Sequence, residues 1–171
     1  MSRADSDALV RIRRASVDDA AAIARILQVV AAERVHSAID RPWPVEEQRA
    51  YLASLSDREV FHVAVAGDAV VGYQSLDRYS SVLPSMAHVG QLGTFLLPDW
   101  RGRGVGRALF ASTAGFAAAA GYRKLVIQVR GSNAAAQRFY GRLGFVECGR
   151  LRAQVVIDGR PDDEVVMEYF L

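Results

Sequence analysis

The stretch Arg101-Gly102-Arg103-Gly104-Val105-Gly106-Arg107 lies near the middle of the chain, between two apolar runs of different character. Residues 92–97 before it are typical of a strand, and the alanine-rich residues 108–120 after it are typical of a helix. A glycine-rich turn at a helix start exposes backbone N–H groups that carry partial positive charge, and glycine lets a ligand come close. The stretch therefore predicts an anion site, and the anion that fits it best is a phosphate or pyrophosphate.

Two common phosphate-binding motifs do not fit this turn. A P-loop needs Lys-Ser or Lys-Thr after the glycines, and neither follows here. A dinucleotide-binding fold needs Gly-x-Gly-x-x-Gly at its first strand–helix turn and a carboxylate about 20 residues later. Here the spacing is Gly102-x-Gly104-x-Gly106, and residues 122–124 contain no carboxylate.

The three arginines of the turn also favour a phosphate or pyrophosphate ligand. Any one of Arg101, Arg103 and Arg107 alone would be typical of a solvated surface. Because all three flank a predicted pyrophosphate site, their concentration favours a contribution to phosphate binding.

A second motif follows downstream. Residues 124–129 form a β-branched run typical of a strand, and Asn133 precedes three alanines. Asn is a favoured N-cap and Ala the best helix former, so a helix should begin there. Tyr140 comes nearly two turns after Asn133 and lies close to the same helix face. Leu-Gly-Phe at residues 143–145 ends the motif.

The two motifs resemble those of the GNAT superfamily of acyl-CoA-dependent N-acyltransferases, in the same order. Residues 101–106 match its Gln/Arg-x-x-Gly-x-Gly/Ala pyrophosphate loop, and residues 133–145 match its Asn-x-x-Ala-x-x-x-Tyr…Leu-Gly-Phe signature. The resemblance implies acetyl-CoA as co-substrate, with pyrophosphate on residues 101–107 and the thioester sulfur near Tyr140. It also implies that pantetheine contacts Asn133 and the main chain of Thr94, Phe95 and Leu96.

The order of predicted elements agrees with this resemblance over residues 9–171, which we interpret as one domain after a disordered N-terminus at residues 1–8. The expected fold class is α/β, with one mixed, mostly antiparallel sheet of six to seven strands and helices on both faces. Strands are predicted at residues 10–15, 59–66, 69–77, 88–97, 124–129, 145–157 and 164–170, and helices at 16–32, 45–55, 108–120 and from 134. The strands at 88–97 and 124–129 should form a parallel, splayed central pair. Gly90 and Gly93 favour a bulge in the first of them.

The composition narrows the class of protein. With 171 residues, 51% of them apolar and 23% charged, the chain is typical of a soluble globular domain. A net charge of +2 is too small to indicate a nucleic-acid partner, and no apolar run is long enough to span a membrane. Cys148 is the sole cysteine, so no intrachain disulfide can form. We expect a cytoplasmic, bacterial protein without a metal, and a homodimer is a possible assembly.

Acetyl transfer to an amine needs a neutral nucleophile, stabilisation of the developing oxyanion and a proton for the leaving thiolate. Tyr140 is the candidate for the general acid, although a packed core aromatic is the alternative. The general base is less clear, because Gln91 and Gln128 stand where many relatives carry a Glu, and an amide cannot take a proton. His88 could act through water, or it could be a structural histidine at a strand end.

The sequence specifies the acceptor amine less clearly than it specifies the co-substrate. Trp43 could line an acceptor pocket with Tyr79, Gln91 and Gln128, or it could pack on the core. Residues 157–167 resemble the "idG-x-x-x-D-E-v-x-M" ending of a bacterial subgroup that acetylates free L-amino acids and other small amines. The expected function is therefore an N-acetyltransferase that transfers acetyl from acetyl-CoA to the primary amine of a small molecule. Two alternatives are an N-terminal acetyltransferase of ribosomal-protein type and an acyl-CoA sensor without turnover.

Overall fold

The structure, a computed structural model, describes residues 9–171, so the disorder expected for residues 1–8 lies outside the described residues. Its strands are β1 Val10–Arg14, β2 Val60–Ala66, β3 Ala69–Arg78, β4 Val89–Leu96, β5 Lys124–Arg130, β6 Val146–Ile157 and β7 Arg160–Phe170. Its α-helices are α1 Ala20–Ala32, α2 Val45–Ser54, α3 Val105–Ala119 and α4 Ala134–Leu143. The α/β fold class predicted from the sequence is confirmed.

The strands form one seven-stranded sheet in the order β1-β2-β3-β4-β5-β7-β6. Only β4 and β5 run parallel, and the other pairs are antiparallel. The helices α1 and α2 cover one face, where Ile23, Ile26 and Leu52 pack on Phe61 and Val63. The helices α3 and α4 cover the other face. Because both faces are covered, every residue of β2 is buried.

Local signals in the sequence explain several element ends. The Ser16 backbone N–H donates to the Asp19 carboxylate at 2.8 Å, which ends β1 and starts the short helical turn before α1. Asp158 and Gly159 both have positive φ, as a two-residue hairpin turn requires, and they join β6 to β7. The last strand therefore begins at Arg160, immediately after this turn and earlier than the sequence indicated.

The prediction of a bulge in β4 is wrong. The register between β3 and β4 is continuous, and the irregularity nearest to it lies between Ala64 and Val65 of β2. A side chain at Gly90 would place its Cβ 2.6 Å from the Leu76 Cδ1 atom and 3.1 Å from the Leu125 Cδ2 atom. This glycine therefore permits close packing of neighbouring side chains, and it marks no irregularity of the strand.

The parallel pair β4 and β5 separates soon after it forms. Only Val89, Gly90 and Gln91 of β4 pair with β5, opposite residues 124–126. From Leu92 onward β4 keeps its bonds to β3 on one side, and on the other side it has no strand partner among residues 9–171. The two strands therefore diverge toward their carboxyl ends and open a cleft in the middle of the sheet.

Candidate active site

The cleft between β4 and β5 has a volume of about 660 Å³. Thr94, Phe95 and Leu96 line its β4 side, as the sequence suggested for the pantetheine strand. The Leu96 carbonyl already accepts hydrogen bonds from the Arg101 guanidinium at 3.0 and 3.1 Å. A bound pantetheine would therefore meet the remaining main-chain groups on this side of β4, because a diverging strand leaves donors and acceptors at strand spacing.

The glycine-rich turn closes one end of the cleft. Gly104 is the N-cap of α3 and has φ of 81°, a value that favours glycine. The first hydrogen bond of the helix runs from the Ala108 N–H to the Gly104 carbonyl at 3.0 Å, so the N–H groups of Val105, Gly106 and Arg107 have no acceptor within the helix. A Cβ at Gly104 would meet no atom within 4 Å, because the turn faces open space. The turn has the geometry of an anion cradle.

Gly106 has a different role from Gly104. It is buried, and a Cβ there would lie 2.9 Å from the Phe139 Cζ atom of α4. Gly106 therefore lets α3 and α4 approach each other behind the cradle.

The three arginines of the turn make different contacts in the structure. Arg101 binds Glu33, the C-cap residue of α1, through two hydrogen bonds of 2.9 and 2.5 Å, and its guanidinium lowers the pKa of the Glu33 carboxyl. Arg103 lies over the Trp100 ring at 5.6 Å, outside the lining of the cleft. Arg107 is exposed and lines the cleft beside the helix start. Arg101 thus anchors the turn to α1, and Arg107 is the arginine best placed for a phosphate.

Asn133 and Tyr140 lie together in the cleft, as the helix spacing predicted. The Asn133 carbonyl oxygen accepts from the Ala136 N–H at 3.1 Å as a helix N-cap, and its amide donates to the His36 carbonyl at 3.4 Å. Tyr140 is 4% exposed, and its hydroxyl donates to the Thr94 Oγ1 atom at 2.7 Å. The Gln74 amide donates to the same oxygen at 2.7 Å. Burial raises the pKa of Tyr140 above its ordinary value, although the Thr94 hydrogen bond opposes this rise.

A line of polar side chains crosses the opposite wall. The Gln91 amide donates to the Gln128 carbonyl oxygen at 3.0 Å, and the Gln128 amide donates to the Glu164 carboxylate of β7 at 3.2 Å. All three side chains line the cleft. Burial alone raises the pKa of Glu164. Sequence reasoning placed both glutamines here but missed Glu164, whose only signal was its place in the tail motif.

The candidate base His88 and the two candidate acceptor-pocket aromatics lie outside the lining of the cleft, as do Arg103 and Val105 of the turn. His88 is exposed in the turn before β4, and its carbonyl accepts from the Arg123 and Lys124 N–H groups. It precedes Thr94 by six residues, a separation of about 20 Å along a strand, so its position does not support a role as general base. Trp43 packs edge-on against Tyr51 at 5.5 Å, and Tyr79 is 46% exposed. Neither aromatic side chain reaches the cleft.

Within residues 9–171, no three His, Cys, Asp or Glu side chains come close enough to hold a metal ion together. Over the same residues, none of the helices has the length and apolar character needed to cross a bilayer.

The chain is similar in sequence to known acetyltransferases. A model of the acetyltransferase (GNAT) family matches residues 26–145. N-alpha-acetyltransferase RimI of Mycobacterium tuberculosis is 31% identical over 120 residues, or 70% of this chain and 72% of that protein. A phosphinothricin N-acetyltransferase of Streptomyces coelicolor is 29% identical over 115 residues, or 65% of this chain and 67% of that protein.

The fold is shared with solved structures. A phosphinothricin acetyltransferase from Sinorhizobium meliloti, in complex with acetyl-CoA, has a TM-score of 0.88 and 22% identity over 95% of this chain and 88% of that one. The chain belongs to the acetyltransferase (GNAT) family.

Proposed function

We propose that the protein transfers the acetyl group of acetyl-CoA to the primary amine of a small molecule. The observation that carries the proposal is the pairing, within one cleft, of an anion cradle at the start of α3 with a buried tyrosine hydroxyl beside the free edge of β4. Acetyl-CoA has a pyrophosphate at one end and a thioester at the other. The cradle suits the pyrophosphate, and the tyrosine hydroxyl suits the thioester sulfur.

The cradle residues would hold the co-substrate. In this proposal the pyrophosphate lies on the N–H groups of residues 102–107, with Arg107 beside it. Pantetheine lies along Thr94 and Phe95, and the Asn133 side chain keeps the α1–α2 loop against the cleft through His36. Acetyl-CoA supplies the activated acetyl group, and the chain supplies binding, orientation and proton transfer.

Tyr140 would act at the sulfur. Its hydroxyl, whose pKa burial raises, is protonated at neutral pH, so the group can donate a hydrogen bond to the leaving sulfur, or a proton once negative charge develops there. The Thr94 and Gln74 side chains hold its hydroxyl in the cleft. The expected effect is on the transition state more than on binding.

A small acceptor is favoured over a folded protein surface by the enclosure of the site. Residues 36–39 of the α1–α2 loop line the cleft, and its volume suits a pantetheine arm together with a small molecule. The phosphinothricin N-acetyltransferase relative agrees with this class of acceptor. The RimI relative keeps N-terminal acetylation of a protein as the second candidate.

Thiol release from acetyl-CoA tests the proposal. The panel contains the common L-amino acids, phosphinothricin, linear alkylamines and peptides that begin with Ser or Ala. Release with a small amine is the expected result, whereas release with the peptides alone would favour the second candidate. Absence of release with every member, despite bound acetyl-CoA, would support a sensor. The homodimer and the cytoplasmic location remain predictions, and the molar mass in solution tests the first of them.

A further inference from the structure

One carboxylate lines the cleft. Among the described residues that form its walls, Glu164 is the only Asp or Glu. It lies on β7 opposite Arg130 of β5, and it is partly buried. The one hydrogen bond that its carboxylate accepts within residues 9–171 comes from the Gln128 amide at 3.2 Å. The other lone pairs of the carboxylate are therefore available to a ligand.

The neighbouring charged groups of the described chain have partners other than Glu164. Arg130 binds Asp162 at 2.9 Å, even though it stands opposite Glu164 in the sheet. Other charged groups nearby also pair elsewhere: Arg101 and His36 with Glu33, Arg34 with Asp158, and Arg150 with Glu147 and Asp163. Arg107 and Arg142 also line the cleft, but both are exposed, and within residues 9–171 neither forms an ion pair with Glu164. A partly buried carboxylate without a cation is unfavourable by itself, and a cationic ligand would remove that cost.

The two glutamines connect this carboxylate to the point where the strands separate. Gln91 is the last residue of β4 that pairs with β5, and its amide donates to Gln128, which donates to Glu164. An amide can orient a carboxylate but cannot accept its proton. Within this line of three side chains, Glu164 is therefore the one group able to act as a base.

Resting on the proposed function, we infer that Glu164 binds the acceptor as an alkylammonium ion and removes the proton that frees its nitrogen for attack. The substrate class is thus an aliphatic primary amine, which is protonated at neutral pH. A weakly basic arylamine, already neutral at that pH, does not need this carboxylate.

The proton balance is complete with groups already named. Glu164 takes one proton from the ammonium group and passes it to solvent. The freed nitrogen forms a bond to the thioester carbonyl carbon, the carbon–sulfur bond breaks, and the sulfur receives the Tyr140 proton. The second proton lost by the nitrogen returns through water to Tyr140. One ammonium ion and one thioester give one amide, one thiol and one released proton.

The pH dependence follows from the burial of Glu164. The carboxylate must be ionised to bind and deprotonate an ammonium ion, and burial raises its pKa above the ordinary glutamate value. Activity is therefore lost as pH falls through this raised pKa. The acidic limb of kcat/KM should lie at a higher pH than an exposed glutamate would give.

The test uses Glu164→Gln, which keeps the size of the side chain and removes its charge. Glu147→Gln is the matched control, because Glu147 lies on neighbouring β6 outside the cleft lining and pairs with Arg150. The readouts are kcat/KM against pH for the best small amine of the panel, and calorimetric affinity of that amine for the protein saturated with coenzyme A. Affinity for acetyl-CoA is measured in parallel.

We expect Glu164→Gln to lower kcat/KM about 100-fold or more at pH 7, within the range for general base catalysis. The loss should shrink as pH approaches the pKa of the amine, since solvent then supplies free amine, and the acidic limb set by Glu164 should be replaced by one at the higher pKa of the amine itself. Amine affinity should fall about 10-fold, while acetyl-CoA affinity and the Glu147→Gln variant stay unchanged. Equal rates for Glu164→Gln and the unmodified protein, or an equal loss at every pH, would overturn the inference. An unmodified protein inactive with all amines would instead overturn the proposed function.

Discussion

At the residue scale, the Tyr140 hydroxyl donates a hydrogen bond to the Thr94 hydroxyl oxygen, which also accepts one from the Gln74 amide. Tyr140→Phe removes the hydroxyl and keeps the ring that packs on Phe139 and Phe145. Turnover should fall about 10- to 1,000-fold, because the thiolate loses its proton donor. Affinity for acetyl-CoA should stay within about twofold, since the hydroxyl acts mainly in the transition state.

Tyr122→Phe provides the control for this change. The Tyr122 hydroxyl donates to the Arg58 carbonyl at 3.0 Å, outside the cleft lining, so its loss should leave turnover unchanged. Steady-state kinetics with one small amine compare the two variants. Normal turnover in Tyr140→Phe would assign Tyr140 to core packing and leave the general acid unidentified.

At the scale of elements, the start of α3 sets the pyrophosphate site through main-chain geometry. Gly104→Val forces a β-branched side chain into a residue with φ of 81° and fills the space in front of the helix start. Coenzyme A binding should be lost by calorimetry. Gly67→Val is the control, because Gly67 also has positive φ, no atom within 4 Å of its Cβ position, and a place in the β2–β3 turn. Both variants should lose stability, and unchanged affinity in Gly104→Val would contradict the cradle.

Also at the scale of elements, an ion pair links the end of α1 to the cradle. Glu33 holds Arg101 through two hydrogen bonds, and both side chains are about 30% exposed. Glu33→Gln should cost at most about 1 kcal/mol of stability, as partly exposed ion pairs do. It should weaken coenzyme A binding several-fold, since the turn loses its anchor. Glu46→Gln, which breaks an exposed pair with Arg49, is the control, and equal coenzyme A affinity in both variants would remove the anchoring role.

At the scale of the whole molecule, the cleft divides the sheet and lies between its two halves. A ligand that bridges them and binds only the folded state should raise the melting temperature. At 100 times its dissociation constant, coenzyme A should add about 2.7 kcal/mol to the free energy of unfolding. Differential scanning fluorimetry with and without coenzyme A measures the shift, and Gly104→Val should show none. A melting temperature that saturating coenzyme A leaves unchanged in the unmodified protein would count against the site.

The sequence by itself determined the local features of this enzyme. The turn at residues 101–107, the Asn133 cap and the Asp158-Gly159 hairpin follow from residues adjacent in the chain, whose backbone preferences act without distant partners. The order of predicted elements gave the α/β class, whereas the parallel pair and family membership were implied by the resemblance of residues 101–106 and 133–145 to GNAT motifs. The role of Gly90 could not be predicted in this way, because that glycine makes room for Leu76 and Leu125 on the neighbouring strands and marks no bulge.

The tertiary structure alone decided which side chains meet. His88, Trp43 and Tyr79 lie outside the cleft, while Glu164 and the Thr94 hydroxyl lie in it, and no local pattern distinguishes the two groups. Arg101 binds Glu33, and Tyr140 binds Thr94, across segments far apart in sequence. Such contacts depend on strand order, register and the divergence of β4 from β5, which bring together side chains that the chain itself keeps distant.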